Sequence, residues 1–172
     1  MKVTHAVAIS IIFAVTSFGV NADYTLDKGT IRVKSPQDIV ITISKNPATH
    51  VEETCLALTM AQILRQSGSK VNVTVFLRND GVFLADEQSV TQVTEACVVP
   101  DPDNPGMAKL ISLQENLVAF VNDNPNNLVN CPLCWGARVQ NGYITDPVPD
   151  YGVLASEAVP PLLLGADKVI DF

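Results

Sequence analysis

Apolar and polar residues along the chain fall into two patterns: short runs rich in β-branched residues, and longer stretches with helical spacing. Residues 38–44, with the sequence DIVITIS, are almost continuously apolar and predict a strand that is buried on both faces. Residues 50–68 carry apolar side chains three and four positions apart and end in glycine, which predicts a helix. The positions that define this spacing are Leu56, Met60, Ile63 and Leu64.

The same two patterns continue to the end of the chain. The further predicted strands span residues 70–78, 127–130 and 168–172. The further predicted helical segments are residues 106–125, with Leu110, Leu113, Leu117 and Phe120 in register, a helix that begins near Pro132, and turns within residues 151–166. Because strands separated by helices form parallel sheets covered on both faces, the pattern predicts an α/β fold around a mainly parallel sheet of about five strands.

The N-terminal stretch has the composition of an export signal. Lys2 and His5 precede the apolar run 6–20, and the small residue Ala22 ends the segment before the polar residues that follow. The run is shorter than the about 20 apolar residues that a transmembrane helix needs. Residues 1–22 are therefore predicted to be a secretory signal peptide, with an uncleaved anchor as the alternative. The processed protein is expected in the periplasm, without attachment to the membrane.

Composition describes the remainder as one globular domain over residues 23–172. The chain is 47% hydrophobic and 17% charged, which is sufficient for a core of ordinary size. Its formal net charge is -7, and an acidic surface repels phosphate backbones and anionic lipid heads. Nucleic acid is therefore not an expected partner.

Cys131 and Cys134 form a Cys-x-x-Cys motif between a predicted strand and a predicted helix. Proline is favoured at the first helical position, so Pro132 makes Cys131 the expected N-cap. The free N–H groups and the positive end of the helix dipole stabilise a thiolate there. Cys134 lies one turn later, close enough to attack a mixed disulfide or persulfide on Cys131. Arg138 either adds a positive charge nearby or is a solvated arginine on the helix face.

Other interpretations of the motif stay open at this point. The pair could be a structural disulfide, which an exported location favours. A zinc site would have to recruit Cys55 and Cys97, because His50 is the only histidine after residue 22. Thiol-disulfide exchange uses the same two thiols, but the motif lies later in the chain than in thioredoxin-like enzymes. A non-enzymatic oligomeric binding module is a third class, since fold does not fix function.

Three segments resemble the DsrE/DsrF-like family, the TusD/YchN-type sulfur-relay fold. They are VTVFLRNDGVFLAD at residues 73–86, NLVNCPLCWGAR at residues 127–138 and LLLGADKVIDF at residues 162–172. The resemblance implies a three-layer α/β/α sandwich, assembled as a homotrimer or homohexamer. In the sulfur-relay members, a cysteine at the position of Cys131, seven residues before an arginine matching Arg138, carries sulfur as a persulfide. The chain departs from the family in its export signal and in Val139, where a glycine is usual.

These observations lead to a functional expectation. We expect an exported sulfur carrier or sulfurtransferase that forms a persulfide on Cys131, with Cys134 as the resolving partner and Arg138 nearby. Its partners would be a sulfur donor and an acceptor thiol, with no organic cofactor and no metal ion. Whether the protein turns over as an enzyme is left open by the residues.

The other two cysteines are expected to form a structural disulfide. Cys55 falls early in the first predicted helix, just beyond the carboxyl end of the first strand, and Cys97 lies in the connection after the second strand. Closing a loop of roughly 40 residues would stabilise the fold by about 4 kcal/mol. The alternative is two separate buried thiols, because cysteine packs as a small hydrophobic residue.

Overall fold

The computed structural model describes residues 24–27, 30–33, 36–66, 70–123, 126–148 and 152–172. The predicted signal peptide, residues 1–22, lies outside these ranges. The strands are β1 (Tyr24–Asp27), β2 (Thr30–Val33), β3 (Gln37–Ile43), β4 (Val71–Leu77), β5 (Ala96–Pro100), β6 (Ala108–Ser112), β7 (Leu128–Asn130), β8 (Gly152–Val153) and β9 (Lys168–Asp171). The helices are α1 (Val51–Gln66), α2 (Glu87–Thr91), α3 (Leu113–Asp123), α4 (Pro132–Gln140) and α5 (Val159–Gly165), with 3-10 helices at Asn79–Ala85 and Ser156–Ala158. Within the described ranges, no helix is both long and apolar enough to cross a membrane.

Five strands form a parallel sheet in the order β8-β7-β4-β3-β9, which confirms the predicted α/β class and sheet. One face of the sheet packs against α1 and α3, and the large core lies between them. On the other face α5 covers a smaller cluster formed by Val40, Phe76 and Val129. Helices therefore lie on both faces, as the three-layer arrangement requires. The remaining strands form two antiparallel hairpins, β1–β2 and β5–β6.

The predicted apolar spacing of α1 is confirmed at Met60 and Leu64, which pack against the core, and is wrong at two other positions. Leu56 and Ile63, two of the residues that defined the helical spacing, are 53% and 50% exposed. The face that packs on the sheet instead contains Ala57, Leu58 and Ala61, all fully buried. Small side chains let the helix approach the sheet closely, so this face, rather than the one with the largest side chains, is buried.

The predicted helix over residues 106–125 is also wrong in its first part. The helix begins only at Leu113, and β6 pairs with β5, with Leu110 opposite Val98 and 70% exposed. A capping box explains the boundary: Ser112 Oγ accepts from the N–H of Glu115 at 3.1 Å, and the Glu115 carboxylate accepts from the N–H of Ser112 at 2.7 Å. The segment 151–166 likewise begins with β8, and its helical part covers only residues 156–165.

A buried aspartate joins α2 to the loop that follows α4. Asp86 is the N-cap of α2 and accepts from Ser89 N–H at 3.0 Å through Oδ2. Its Oδ1 accepts from the backbone N–H groups of Thr145 and Asp146, at 3.1 and 2.8 Å. The carboxylate therefore satisfies backbone donors from both segments, and it holds the chain beyond α4 in place.

Replacing Asp86 should destabilise the fold. Asp86→Ala removes the acceptor of three partly buried backbone N–H groups, which costs about 1–3 kcal/mol in total. Asp103→Ala changes an exposed aspartate and should stay within about 0.5 kcal/mol of the wild type. Urea unfolding of both variants measures the difference, and equal free energies of unfolding would show that Asp86 has no such role.

Candidate functional site

The candidate site lies where β3, β4 and β7 end at the carboxyl edge of the parallel sheet. Backbone hydrogen bonds join the residues where these strands end: Arg78 N–H donates to Ile43 O at 3.0 Å, and Cys131 N–H donates to Leu77 O at 2.8 Å. Open parallel sheets bind their ligands outside the carboxyl ends of the strands. The two free cysteines therefore lie at the edge where ligands of such sheets bind.

Cys131 links β7 to α4. It is the N-cap of α4, with an extended backbone, and Pro132 follows at the start of the helix. The Cys131 carbonyl accepts from the N–H of Trp135 at 2.9 Å, the first bond of the helix. Its thiol is half-buried and lies at the end of the helix where N–H groups without intrahelical partners point outward. The thiolate that the sequence predicts at this position stays a prediction, which alkylation rates test.

Cys134 lies three residues after Cys131, one turn into α4, so each thiol influences the other. Burial raises the pKa of the Cys134 thiol, and the hydrogen bond to Cys131 and the charge of that group raise the pKa further. The backbone N–H of Asn79 and the charge of Arg138 lower it, but the pKa remains above the usual value of a cysteine.

Asn79 is a site residue that the sequence analysis missed. It lies in the turn after β4 with a φ of 50°, a left-handed conformation that asparagine tolerates better than most residues. Its side-chain Oδ1 is 4.0 Å from Cys134 Sγ. Gly81 N–H donates to Arg78 O at 2.9 Å and closes the turn. The Asn-Asp-Gly sequence signals a turn, but not that the turn meets α4.

Arg138 reaches the turn after β4. Its Nη2 forms an ion pair with Asp80 Oδ1 at 2.6 Å. The two residues line a surface cleft of about 370 Å³ together with Phe83, Ala137, Asn141 and Tyr143, and neither cysteine lines this cleft. Arg138 has the smallest of the effects on the pKa of Cys134. Its positive charge is therefore shared between Asp80 and Cys134.

Two further polar residues at this edge were not expected. Asn130, the residue before Cys131, is fully buried, and within the described part of the chain neither of its side-chain polar atoms has a hydrogen-bond partner. A buried amide without hydrogen-bond partners lowers the stability of the fold by about 1–3 kcal/mol.

Arg78 Nη2 pairs with Asp171 Oδ2 at 2.7 Å, and the same carboxylate accepts from Thr42 Oγ1. These contacts tie the end of β4 to β9.

Cys55 and Cys97 are joined by a disulfide, with their Cα atoms 5.2 Å apart. Cys97 lies in β5, so the bond fastens the β5–β6 hairpin to α1, and the expected pairing of these two cysteines is confirmed. Zinc would have needed these two cysteines as ligands. In the described ranges, no three histidine, cysteine, aspartate or glutamate side chains are grouped so as to hold a metal ion.

No protein-family model matches the chain, and no curated protein sequence is similar to it. The crystal structure of the YchN protein from Escherichia coli superposes with a TM-score of 0.52 at 21% identity, over 79% of this chain and 99% of that chain. The chain has the DsrE-like fold. The family resemblance predicted from the sequence is thus confirmed for the fold, and the DsrE-like sheet is what presents Cys131 at its carboxyl edge.

The two thiols of this DsrE-like site should differ in reactivity. Cys131, as the only free thiol in Cys134→Ser, should react with iodoacetamide at neutral pH faster than Cys134 does in Cys131→Ser. Burial, the largest cause of the raised pKa of Cys134, remains in the second variant. Each unit by which the pKa rises lowers the thiolate fraction about tenfold. Equal rates, or a faster Cys134, would overturn the assignment.

Proposed function

We propose that this protein is a sulfur carrier or sulfurtransferase that holds sulfane sulfur as a persulfide on Cys131, with Cys134 as the resolving thiol. The observation that carries the proposal is the position of Cys131. It is the N-cap of α4 at the carboxyl end of β7, and the neighbouring Cys134 has a raised pKa. The DsrE-like fold supports sulfur relay, because sulfur-relay proteins use this fold.

The proposed reaction requires two thiol exchanges. The Cys131 thiolate attacks the sulfane sulfur of a donor, the bond between that sulfur and the donor breaks, and the donor leaves with the electron pair. An acceptor thiolate then attacks the outer sulfur of the Cys131 persulfide. The S–S bond breaks, Cys131 leaves as a thiolate, and the acceptor holds the sulfur. Neither exchange changes the total oxidation state, so no organic cofactor is needed.

The same proposal includes a cellular location and an oligomeric state. The apolar segment 1–22 would direct the protein to the periplasm, where the donor and the acceptor thiol would also be found. Assembly as a homotrimer or homohexamer rests on the family resemblance. Light scattering of the processed chain at micromolar concentration tests the assembly, and a monomer would contradict it.

A labelled-sulfur transfer experiment tests the carrier function. The reduced protein is incubated with polysulfide that carries a sulfur isotope, freed of excess donor, and mixed with a small acceptor thiol. Labelled acceptor should form with Cys134→Ser, which keeps Cys131 and lacks the resolving thiol, and not with Cys131→Ser. Transfer that persists in Cys131→Ser, or label that never reaches the acceptor from any variant, would contradict the proposal.

Thiol-disulfide exchange is the second candidate function, and the proximity of the two free cysteines favours it. A Cys131–Cys134 dithiol would reduce a disulfide substrate and become a disulfide itself. The two functions differ in their dependence on Cys134, because sulfur transfer by Cys131 does not need it and disulfide reduction does. Reduction of a model disulfide, compared between wild type and Cys134→Ser, separates them.

A further inference from the structure

We infer that the Cys131–Cys134 pair reduces bound sulfane sulfur to hydrosulfide, and that Asn79 is the positioning residue that prepares Cys134 for this step. The inference rests on the proposed function, since it begins from a persulfide on Cys131. It adds a second fate for that sulfur and names the product as hydrosulfide rather than a persulfidated acceptor.

The spacing of the two cysteines decides which sulfur Cys134 attacks. Cys131 is the N-cap of α4 and Cys134 follows one turn later on the same helix, beside the Cys131 sulfur that becomes the inner sulfur of the persulfide. A nucleophile beside the inner sulfur is placed to form a bond with it, and the outer sulfur is then the leaving group. Attack at the outer sulfur would only move the persulfide from one cysteine to the other.

The step balances without an external reductant in its first turn. Cys134 loses its proton, its sulfur bonds to the sulfur of Cys131, and the S–S bond of the persulfide breaks. The outer sulfur leaves with both electrons of that bond as hydrosulfide, taking up the proton. The two cysteine sulfurs are oxidised to a disulfide, and the sulfane sulfur is reduced to sulfide. A dithiol reductant must then reopen the Cys131–Cys134 disulfide before the next turn.

Asn79 meets Cys134 with both an acceptor and a donor. Its Oδ1 is 4.0 Å from the Cys134 sulfur, and its backbone N–H lowers the pKa of the same thiol. The left-handed backbone of Asn79, with a φ of 50°, belongs to the turn that brings both groups to Cys134. The carboxamide thus faces the thiol, and the N–H stabilises the thiolate that forms when the proton leaves.

The charges around Cys134 define how the step should depend on pH. Among the described residues that act on Cys134, the titratable or charged groups are Cys131 and Arg138 from α4, and Asp80 from the 3-10 helix through its ion pair with Arg138. Burial and Cys131 raise the pKa of Cys134, while the Asn79 N–H and Arg138 lower it. A change of charge at residue 79 should therefore move the pH profile of the step, whereas general loosening of the fold would lower the rate at all pH values.

The experiment follows loading and discharge separately, without oxygen, with thiosulfate as the donor. When Cys131 takes the sulfane sulfur of thiosulfate, the rest of the donor leaves as sulfite. Any hydrosulfide therefore comes from discharge of the persulfide. For Cys134→Ser, the intact mass should increase by a single sulfur atom, and no hydrosulfide should be released. Wild type should release one hydrosulfide per chain and end as the Cys131–Cys134 disulfide. If neither thiosulfate nor polysulfide loads Cys134→Ser, the proposed function fails; if it loads and wild type keeps its persulfide, this inference alone fails.

Variants at Asn79 test the positioning role. Asn79→Gly keeps the positive φ but removes the carboxamide, and hydrosulfide release should slow by about twofold to tenfold, the equivalent of one hydrogen bond. Asn79→Asp adds a negative charge beside the thiol, and the pH profile of release should move upward by about one unit. Asn126→Gly is the matched control, because Asn126 also has a positive φ, 78°, but lies before β7 at the opposite edge of the sheet. An unshifted profile in Asn79→Asp, or equal effects of the two glycine variants, would overturn the role of Asn79.

Discussion

Gly81→Ala should destabilise the protein more than the same replacement at any other glycine that the structure describes. A Cβ at this position would lie 2.6 Å from the carbonyl carbon of Ile43, and closer still to its oxygen. Both obstacles are backbone atoms of the strand end beside the turn, so neither can move aside as a flexible side chain would. The cost should exceed the about 1–3 kcal/mol of ordinary overpacking.

Gly136→Ala is the matched control for this change. Gly136 lies within α4, and a Cβ there meets no atom within 4 Å. Alanine in a helix interior should raise stability by roughly 0.5–1 kcal/mol relative to glycine. Urea unfolding of the two variants gives both free energies. Similar values for Gly81→Ala and wild type would mean that the turn after β4 does not lie against β3 as described.

The turn at Gly81 also connects stability with the site. Asn79 precedes it by two residues, and the same turn brings Asn79 to Cys134. If the Gly81→Ala protein still folds, Cys134 should therefore react at an altered rate, in addition to the loss of stability. Iodoacetamide rates in the Cys131→Ser background measure this second effect, for which Gly136→Ala again serves as the control.

Loss of the Cys55–Cys97 disulfide should have the second large effect. The bond closes a loop with a sequence separation of 42, and the chain-entropy model assigns such a loop about 4 kcal/mol. The double variant Cys55→Ala/Cys97→Ala should therefore unfold at a much lower urea concentration than wild type under non-reducing conditions. A strong reductant should lower the stability of wild type to a similar level.

The other pair of cysteines provides the control for the disulfide. Cys131 and Cys134 are free in the structure, so Cys131→Ser/Cys134→Ser should lose much less stability than the alanine pair. Peptide mapping of non-reduced, oxidised protein gives the chemical answer directly. If Cys55 and Cys97 are both found as free thiols, the stabilising role of the disulfide is contradicted.

The sequence was sufficient for the parallel sheet and for the start of α4. Continuous β-branched runs predict buried strands wherever they occur, and β3 and β4 follow them closely. Proline at the first helical position is a local signal, and it places Cys131 at the N-cap without knowledge of any distant contact. Features that depend on neighbouring residues alone were therefore predictable.

The features that were missed depend on contacts between distant segments. The β5–β6 hairpin leaves apolar side chains such as Val98 and Leu110 exposed, and in β6 only Ile111 is even partly buried, so the burial of β6 does not follow its apolar residues. Asn79 becomes a site residue only because α4 packs against its turn. The burial of the Asn130 carboxamide follows from the tertiary packing around β7, because asparagine is a mostly exposed residue type.

Intact-mass analysis of reduced Cys134→Ser after exposure to polysulfide tests the central claim most directly. This variant keeps Cys131 as its free thiol and lacks the resolving cysteine, so a persulfide should accumulate. The account predicts the addition of a single sulfur atom, located on Cys131 by peptide fragmentation, reversed by a thiol reductant and absent in Cys131→Ser. A reduced, folded protein that never gains sulfur, or that gains it equally in Cys131→Ser, would contradict the account.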